Sequence, residues 1–308
     1  MLYLVHALLV ISFWTSTRAA PHISRRDVGP LYGPSGEPSI QDVEQHHDDC
    51  AFVATVMSIT KRSPSFIKSL ITFQGDFNAV EQVTVRTFNP DSLAPMDQVV
   101  TRDDIYLGND TRTEIWWPGA IYRAPQNAHT ANSFDNVGVP VMGVNEAFHL
   151  ITGLISNAYY PHNQNDFWNI IANAAKTPIV LQTVGDGAVT LWGGHAYAVS
   201  YVSEENGVKM VGVINTNGEE SLITHEQAYN DCYCLWGLDG NPTLVEGEAP
   251  PASLPRVEEE TDVQNVEDGR TTSTRGDGVI VVQVGFPTPS HGKYTTPGAT
   301  PAVTPRAV

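Results

Sequence analysis

Apolar and polar positions along this 308-residue chain repeat with a helical period in its first half and a period of two in its second. The polar stretch Gln45-His46-His47-Asp48-Asp49 gives way to Ala51-Phe52-Val53-Ala54-Thr55-Val56-Met57-Ser58-Ile59. This predicts a helix from Cys50 to Ile59, ended by Pro64, with a second short helix from Ser65 to Ile71. Val83 to Phe88 alternates as a strand does, and Gln98-Val99-Val100 begins another extended stretch. Ala147, Leu150, Ile151, Leu154 and Ile155 fall on one helical face, and Phe167, Ile170, Ile171 and Ala174 repeat that spacing within Gln164 to Lys176. From residue 178 the reading becomes β. Pro178 to Thr183, Ala196 to Ser203 and Val208 to Ile214 predict successive antiparallel strands, with Glu204-Glu205-Asn206-Gly207 as the hairpin between the last two. Thr224-His225-Glu226-Gln227 is a capping-box signature for a short final helix. The predicted class is α+β.

The chemistry lies at the joints of this pattern. Cys50 stands at a predicted helix start, where the helix dipole and an imidazole together favour the thiolate. His195 opens one strand in Gly193-Gly194-His195-Ala196-Tyr197-Ala198-Val199, and Asn215 closes the next in Val213-Ile214-Asn215-Thr216-Asn217-Gly218. A histidine that takes the thiol proton and later protonates the leaving amine needs a partner to fix its tautomer and ring plane, and a side-chain amide serves. A glutamine shortly before the cysteine can donate to the oxyanion; Gln45 is the candidate and Gln41 the reserve. Each piece has an ordinary reading: a core cysteine, glycines at a strand entrance, an Asn-x-Asn-Gly turn. The order changes the balance, because 145 residues separate Cys50 from His195 and 20 separate His195 from Asn215, the papain-like arrangement.

On these residues the chain resembles the calpain-type cysteine protease core over about residues 30 to 245. Pro38-Ser39-Ile40-Gln41-Asp42-Val43-Glu44-Gln45 with Asp49-Cys50 resembles the family's nucleophile segment, and Gly194-His195-Ala196-Tyr197-Ala198-Val199 its histidine motif. Trp117-Pro118 and Asn145 to Gly153 resemble the stretch closing the first subdomain. The resemblance implies a papain-like fold of two lobes: a helical lobe at 30–158 carrying Cys50 and a β-rich lobe at 159–246 carrying His195 and Asn215. It also implies hydrolysis of peptide bonds through a Cys-His-Asn triad. The chain departs from the family at Ala51, where a tryptophan is usual, in the shorter Gln45-to-Cys50 spacing, and at Thr216 and Asn217, which replace the proline and tryptophan of Asn-Pro-Trp-Gly. That tryptophan shields the histidine–asparagine bond, so a wetter bond is expected here. The family's calcium sites use an acidic residue before the glutamine and a glutamate after Trp-Pro. Asp42 matches the first, the second falls near Tyr122, and calcium independence is expected.

Leu2 to Trp14 is an apolar core followed by small residues around Ala19-Ala20, which reads as a secretory signal peptide over residues 1–20. Residues 21–29 form a short arm whose Arg25-Arg26 pair is a dibasic processing candidate or an incidental pair. Asn109-Asp110-Thr111 is an N-glycosylation acceptor; Asn241-Pro242-Thr243 is blocked by its proline. Three cysteines are too few for a disulfide scaffold. Cys232 and Cys234 read as buried thiols beside Trp236, or, with His225, as half of a metal site. His46 and His47 read as loop residues, or, with Asp48 and Asp49, as a surface metal site. Residues 27–246 hold 9 Lys and Arg against 26 Asp and Glu, which argues against nucleic-acid or anionic-membrane binding. Beyond about residue 247, proline-, threonine- and glutamate-rich sequence predicts a low-complexity tail, disordered or O-glycosylated, with Val279 to Phe286 able to add a strand to the core.

The expectation is therefore a secreted, monomeric cysteine endopeptidase acting on protein or peptide substrates, with no cofactor and no transmembrane segment. A catalytically silent binding protein on the same scaffold and a papain-like acyltransferase are the alternatives.

Overall fold

In the computed structural model the described residues are 29–46, 48–105, 114–128, 142–244 and three short strands between 264 and 284. The signal-peptide segment, Arg25, Arg26, His47 and Asn109 lie outside them. The chain divides into two units, residues 1–254 and 255–308.

The first unit begins with α1 (Cys50–Arg62) and α2 (Pro64–Ser69). Ser63 separates them: its side chain accepts from the Phe66 N–H, and Pro64 supplies the preset φ of a first helical position. The first helix runs three residues past its predicted end at Ile59, and the second ends two residues before Ile71. A small antiparallel sheet follows, β1 (Ile71–Thr72), β2 (Gln82–Phe88) and β3 (Pro95–Thr101), with Val83 against Val100 and Phe88 against Pro95. Next come α3 (Trp117–Ala128) and α4 (Val144–Thr152). The predicted face running on to Leu154 and Ile155 stops earlier, because Gly153 adopts φ +66 and caps α4. Glycine is required there twice over, since an added Cβ would lie 2.5 Å from the Phe88 ring.

β4 (Ser156–Tyr159), α5 (Gln164–Ile171), β5 (Ile179–Thr183), β6 (Ala196–Glu205), β7 (Val208–Asn215), β8 (Glu220–Thr224), α6 (His225–Asp231) and β9 (Cys232–Leu238) complete the unit. Six of these strands form one antiparallel sheet in the order β4-β9-β5-β6-β7-β8. Asn206 and Gly207 both take positive φ at the β6–β7 turn, as a tight hairpin requires. Thr224 and Gln227 form the predicted capping box of α6. Within the sheet, Val180, Ala196, Ala198 and Ile214 face a core built with α1, α3 and α4, while Ile179, Leu181, Tyr197, Val199 and Val213 face a second core with α5 and α6. α1 thus lies directly on the sheet, packed against β5, β6 and β7, and the helical segments share one core with the strands. Its far end is tied down where Arg62 donates to the carbonyl of Ser200, at a bulge in the β6–β7 ladder.

This is an α+β architecture with antiparallel sheets. Within residues 255–308 the described residues are three short strands. There β10 (Gln264–Asn265), β11 (Arg270–Thr274) and β12 (Ile280–Val284) form a separate antiparallel sheet, so the apolar run around Val281 pairs with β11 rather than extending the six-stranded sheet.

Candidate active site

The β6–β7 ladder pairs Tyr197 with Asn215, which sets the start of one strand against the end of its neighbour and brings His195 beside Asn215. His195 Nε2 lies 2.9 Å from Asn215 Oδ1 and 3.0 Å from Thr216 Oγ1. A carbonyl acceptor at Oδ1 requires the proton on Nε2. Both ring hydrogen bonds therefore fall on one nitrogen, and Nδ1 is the one left to meet a thiol. Asn215 is 7% exposed and Thr216 1%, so the asparagine end of this bond is buried although Asn217 replaces the expected tryptophan, while His195 is half-buried.

Thr216 extends the network to the other side. Its hydroxyl donates to Oε1 of Gln45, and its carbonyl accepts from the Gln45 backbone N–H at 2.8 Å. A threonine hydroxyl has one proton and two lone pairs, so it can receive from His195 while donating to Gln45. Gln45 is thereby held within the same cluster despite its shortened spacing to Cys50, with its amide plane fixed from the oxygen end.

Cys50 is the first residue of α1 and half-buried. Burial is the largest influence on its thiol and pushes it up; the backbone N–H groups of Ala196 and Ala51 oppose this, while Asp49 and Asp48 add to it. The Ala196 amide places the sulfur beside the first residue of β6, directly after His195. Burial likewise pushes the His195 imidazolium down, against the Asn215 hydrogen bond that favours it. Burial thus favours the uncharged form of both groups.

The loop before His195 is held by a dense set of hydrogen bonds. Thr183 Oγ1 donates to the Trp192 carbonyl at 2.7 Å and accepts from the His195 N–H at 2.9 Å, while Tyr197 Oη accepts from the Trp192 N–H at 2.8 Å. Asp231, 1% exposed at the end of α6, accepts from the backbone N–H groups of Val189, Thr190 and Leu191 at 2.8, 2.7 and 2.7 Å. Gly193 lets the two ends of the loop close, since a Cβ there would fall 2.0 Å from the Gly185 carbonyl oxygen. The His195 ring is flanked by the edge-on ring of Tyr197 at 5.0 Å and by Trp192 at 5.6 Å. Sequence reasoning did not identify Asp231, Thr183 or Trp192. The Gly-Gly pair before His195 was the one available sign that the loop must close tightly.

Other candidates are placed differently. Asp42 accepts from the Trp117 indole N–H at 2.8 Å and from the Ser39 N–H at 3.2 Å, and Tyr122 is fully buried with its ring edge-on to Phe52. The Cys234 sulfur lies 3.5 Å from Gln182 Oε1, which also accepts from the Trp236 indole; burial pushes the Cys234 thiol up to about 12. His46 is exposed. Among the described residues, no three His, Cys, Asp or Glu side chains gather as a metal site, and no helix is long and apolar enough to cross a membrane. No protein-family model matches the chain, and no curated protein matches it in sequence.

Proposed function

We propose that this chain is a secreted cysteine endopeptidase with a papain-like core of the calpain type. The observation that carries the reading is the Nε2 contact of His195 with Asn215 at 2.9 Å, made beside a cysteine that opens a helix. In this reading the Cys50 sulfur attacks a peptide carbonyl carbon as its proton passes to His195 Nδ1. The backbone N–H of Cys50 and the amide of Gln45 donate to the tetrahedral oxyanion. Collapse breaks the C–N bond, the leaving amine takes the proton from Nδ1, and a thioester remains. Water, deprotonated by His195, hydrolyses the thioester and restores the thiol.

A silent binding protein on the same scaffold is the second reading, favoured by the upward push of burial on the Cys50 thiol. A denatured protein substrate under reducing conditions, with Cys50→Ala alongside, separates the two. Cleavage lost in Cys50→Ala, together with labelling of Cys50 by an epoxide or vinyl-sulfone probe, is the expected result. Equal cleavage by Cys50→Ala, or no cleavage by either protein, overturns the reading.

A further inference from the structure

The loop between β5 and β6 is pinned through its backbone and apolar at its surface. Its backbone is pinned by Asp231, Thr183 and Tyr197, and Leu191 is buried in the core below it. Yet Val189 is 89% exposed and Trp192 61% exposed. A rigid loop cannot fold such side chains inward, so it presents about one Trp and one Val face of apolar surface to solvent at a fixed place, which costs free energy unless something covers it.

That place is next to the reacting atoms. Trp192 stands three residues before His195, with its ring 5.6 Å from the imidazole and its own backbone N–H held by Tyr197. In the proposed reaction the imidazolium hands its proton to the leaving amine, so the part of the substrate following the scissile bond must pass over the histidine. A side chain carried there meets the exposed ring of Trp192, and Val189 stands three residues earlier on the same pinned loop. Acidic Asp186 is the only charged residue of the loop between β5 and His195, so the subsite offers no cation to a carboxylate.

We propose that Trp192 and Val189 form an apolar subsite for the side chain immediately following the cleaved bond, making peptides with a bulky aliphatic or aromatic residue at that position the preferred substrate class. The inference rests on the peptidase reading above. It differs from a packing role for Trp192, which would alter all substrates alike.

The test is digestion of a mixed peptide library by the full chain, with the residues on both sides of every cleaved bond read by mass spectrometry. The wild type should favour Leu, Ile, Phe and Met over Ser and Asp after the bond by about tenfold, the discrimination that one well-covered apolar side chain supplies. The Trp192→Ala, Val189→Ser double variant should lose that preference, and Trp192→Phe should keep most of it. A ratio between peptides cancels any general loss of turnover caused by disturbing His195. An unchanged ratio in the double variant overturns the subsite while leaving the peptidase reading intact, and so does a preference lost before the bond rather than after it. Absence of any Cys50-dependent cleavage in the wild type overturns both.

Discussion

Replacing Asp231 tests whether one buried carboxylate holds the histidine loop. It accepts three backbone N–H groups and is 1% exposed, so Asp231→Ala removes all three bonds without leaving a charge behind. Val189 and Thr190 are exposed, and their amides regain water once the loop relaxes; each loss then costs about 1 kcal/mol, the typical net value of one hydrogen bond. Leu191 is buried, and stranding its N–H costs about 1–3 kcal/mol. The expected sum is about 4 kcal/mol, a melting shift of roughly 8–16 °C for a unit of this size. Asp231→Asn keeps an oxygen for Thr190 and Leu191 but turns an NH2 towards the Val189 N–H, and should cost about half as much. Urea unfolding gives the free energies, and hydrogen exchange reads the three amides individually. Stability of Asp231→Ala within about 0.5 kcal/mol of wild type, the usual range for an inert surface change, would refute the argument. Equal protection of the Leu191 amide in both proteins would refute it too.

Thr216→Val keeps the shape but deletes the hydroxyl between His195 and Gln45; it should lower stability by about 1–2 kcal/mol and turnover several-fold, and unchanged turnover would separate Thr216 from the site. Because burial raises the Cys50 thiol and lowers the His195 imidazolium, alkylation of Cys50 by iodoacetamide should be slow at neutral pH and climb through and beyond the ordinary thiol range. A fast plateau already present at acidic pH would instead show a preformed thiolate–imidazolium pair. Turnover should keep its neutral imidazole base to lower pH than an exposed histidine would allow, with its acid limb below the ordinary histidine value. Chelation of calcium should leave hydrolysis unchanged, since Asp42 is committed to Trp117 and Ser39 and Tyr122 carries no carboxylate; loss on chelation and recovery with added calcium would reverse that reading.

Much of the fold was legible because its periods are plain. α1 and the β5–β6–β7 strands follow directly from apolar spacing, and the Asn206-Gly207 turn fixes their register. Two elements are hidden by local chemistry. α3 carries Pro118, Gly119 and Pro125, all helix breakers by propensity, yet Trp117, Ala120, Ile121 and Ala124 bury a continuous face that outweighs them. β9 reads as an aromatic cluster around two cysteines rather than a strand. It is inserted between β4 and β5 and is covered on both faces, so its residues do not alternate in polarity. The same limit applies at the site. Cys50, His195 and Asn215 stand out by type and spacing, whereas Asp231 acts on backbone amides 40 residues earlier in the chain, and no local pattern marks a residue whose partners are main-chain groups.

The altered flanks change meaning once their contacts are seen. In sequence, Thr216 and Asn217 read as the loss of a proline and of a shielding tryptophan. In space, Thr216 gains a hydroxyl that joins the histidine to Gln45, and an indole from the opposite side of the motif, Trp192, stands against the imidazole. Asn215 is buried without the missing tryptophan, so the acceptor end of its hydrogen bond is shielded from water. The consequence is a difference in what each group shields. In the family the chain resembles, the tryptophan following the asparagine shields the histidine–asparagine bond. Trp192 instead lies on the loop that enters the site, exposed over most of its surface, where it can cover the imidazole and touch substrate with the same ring. Under the proposed subsite, orientation and recognition are coupled through one side chain, and a single substitution at residue 192 should move the pH profile of turnover and the preference after the cleaved bond together.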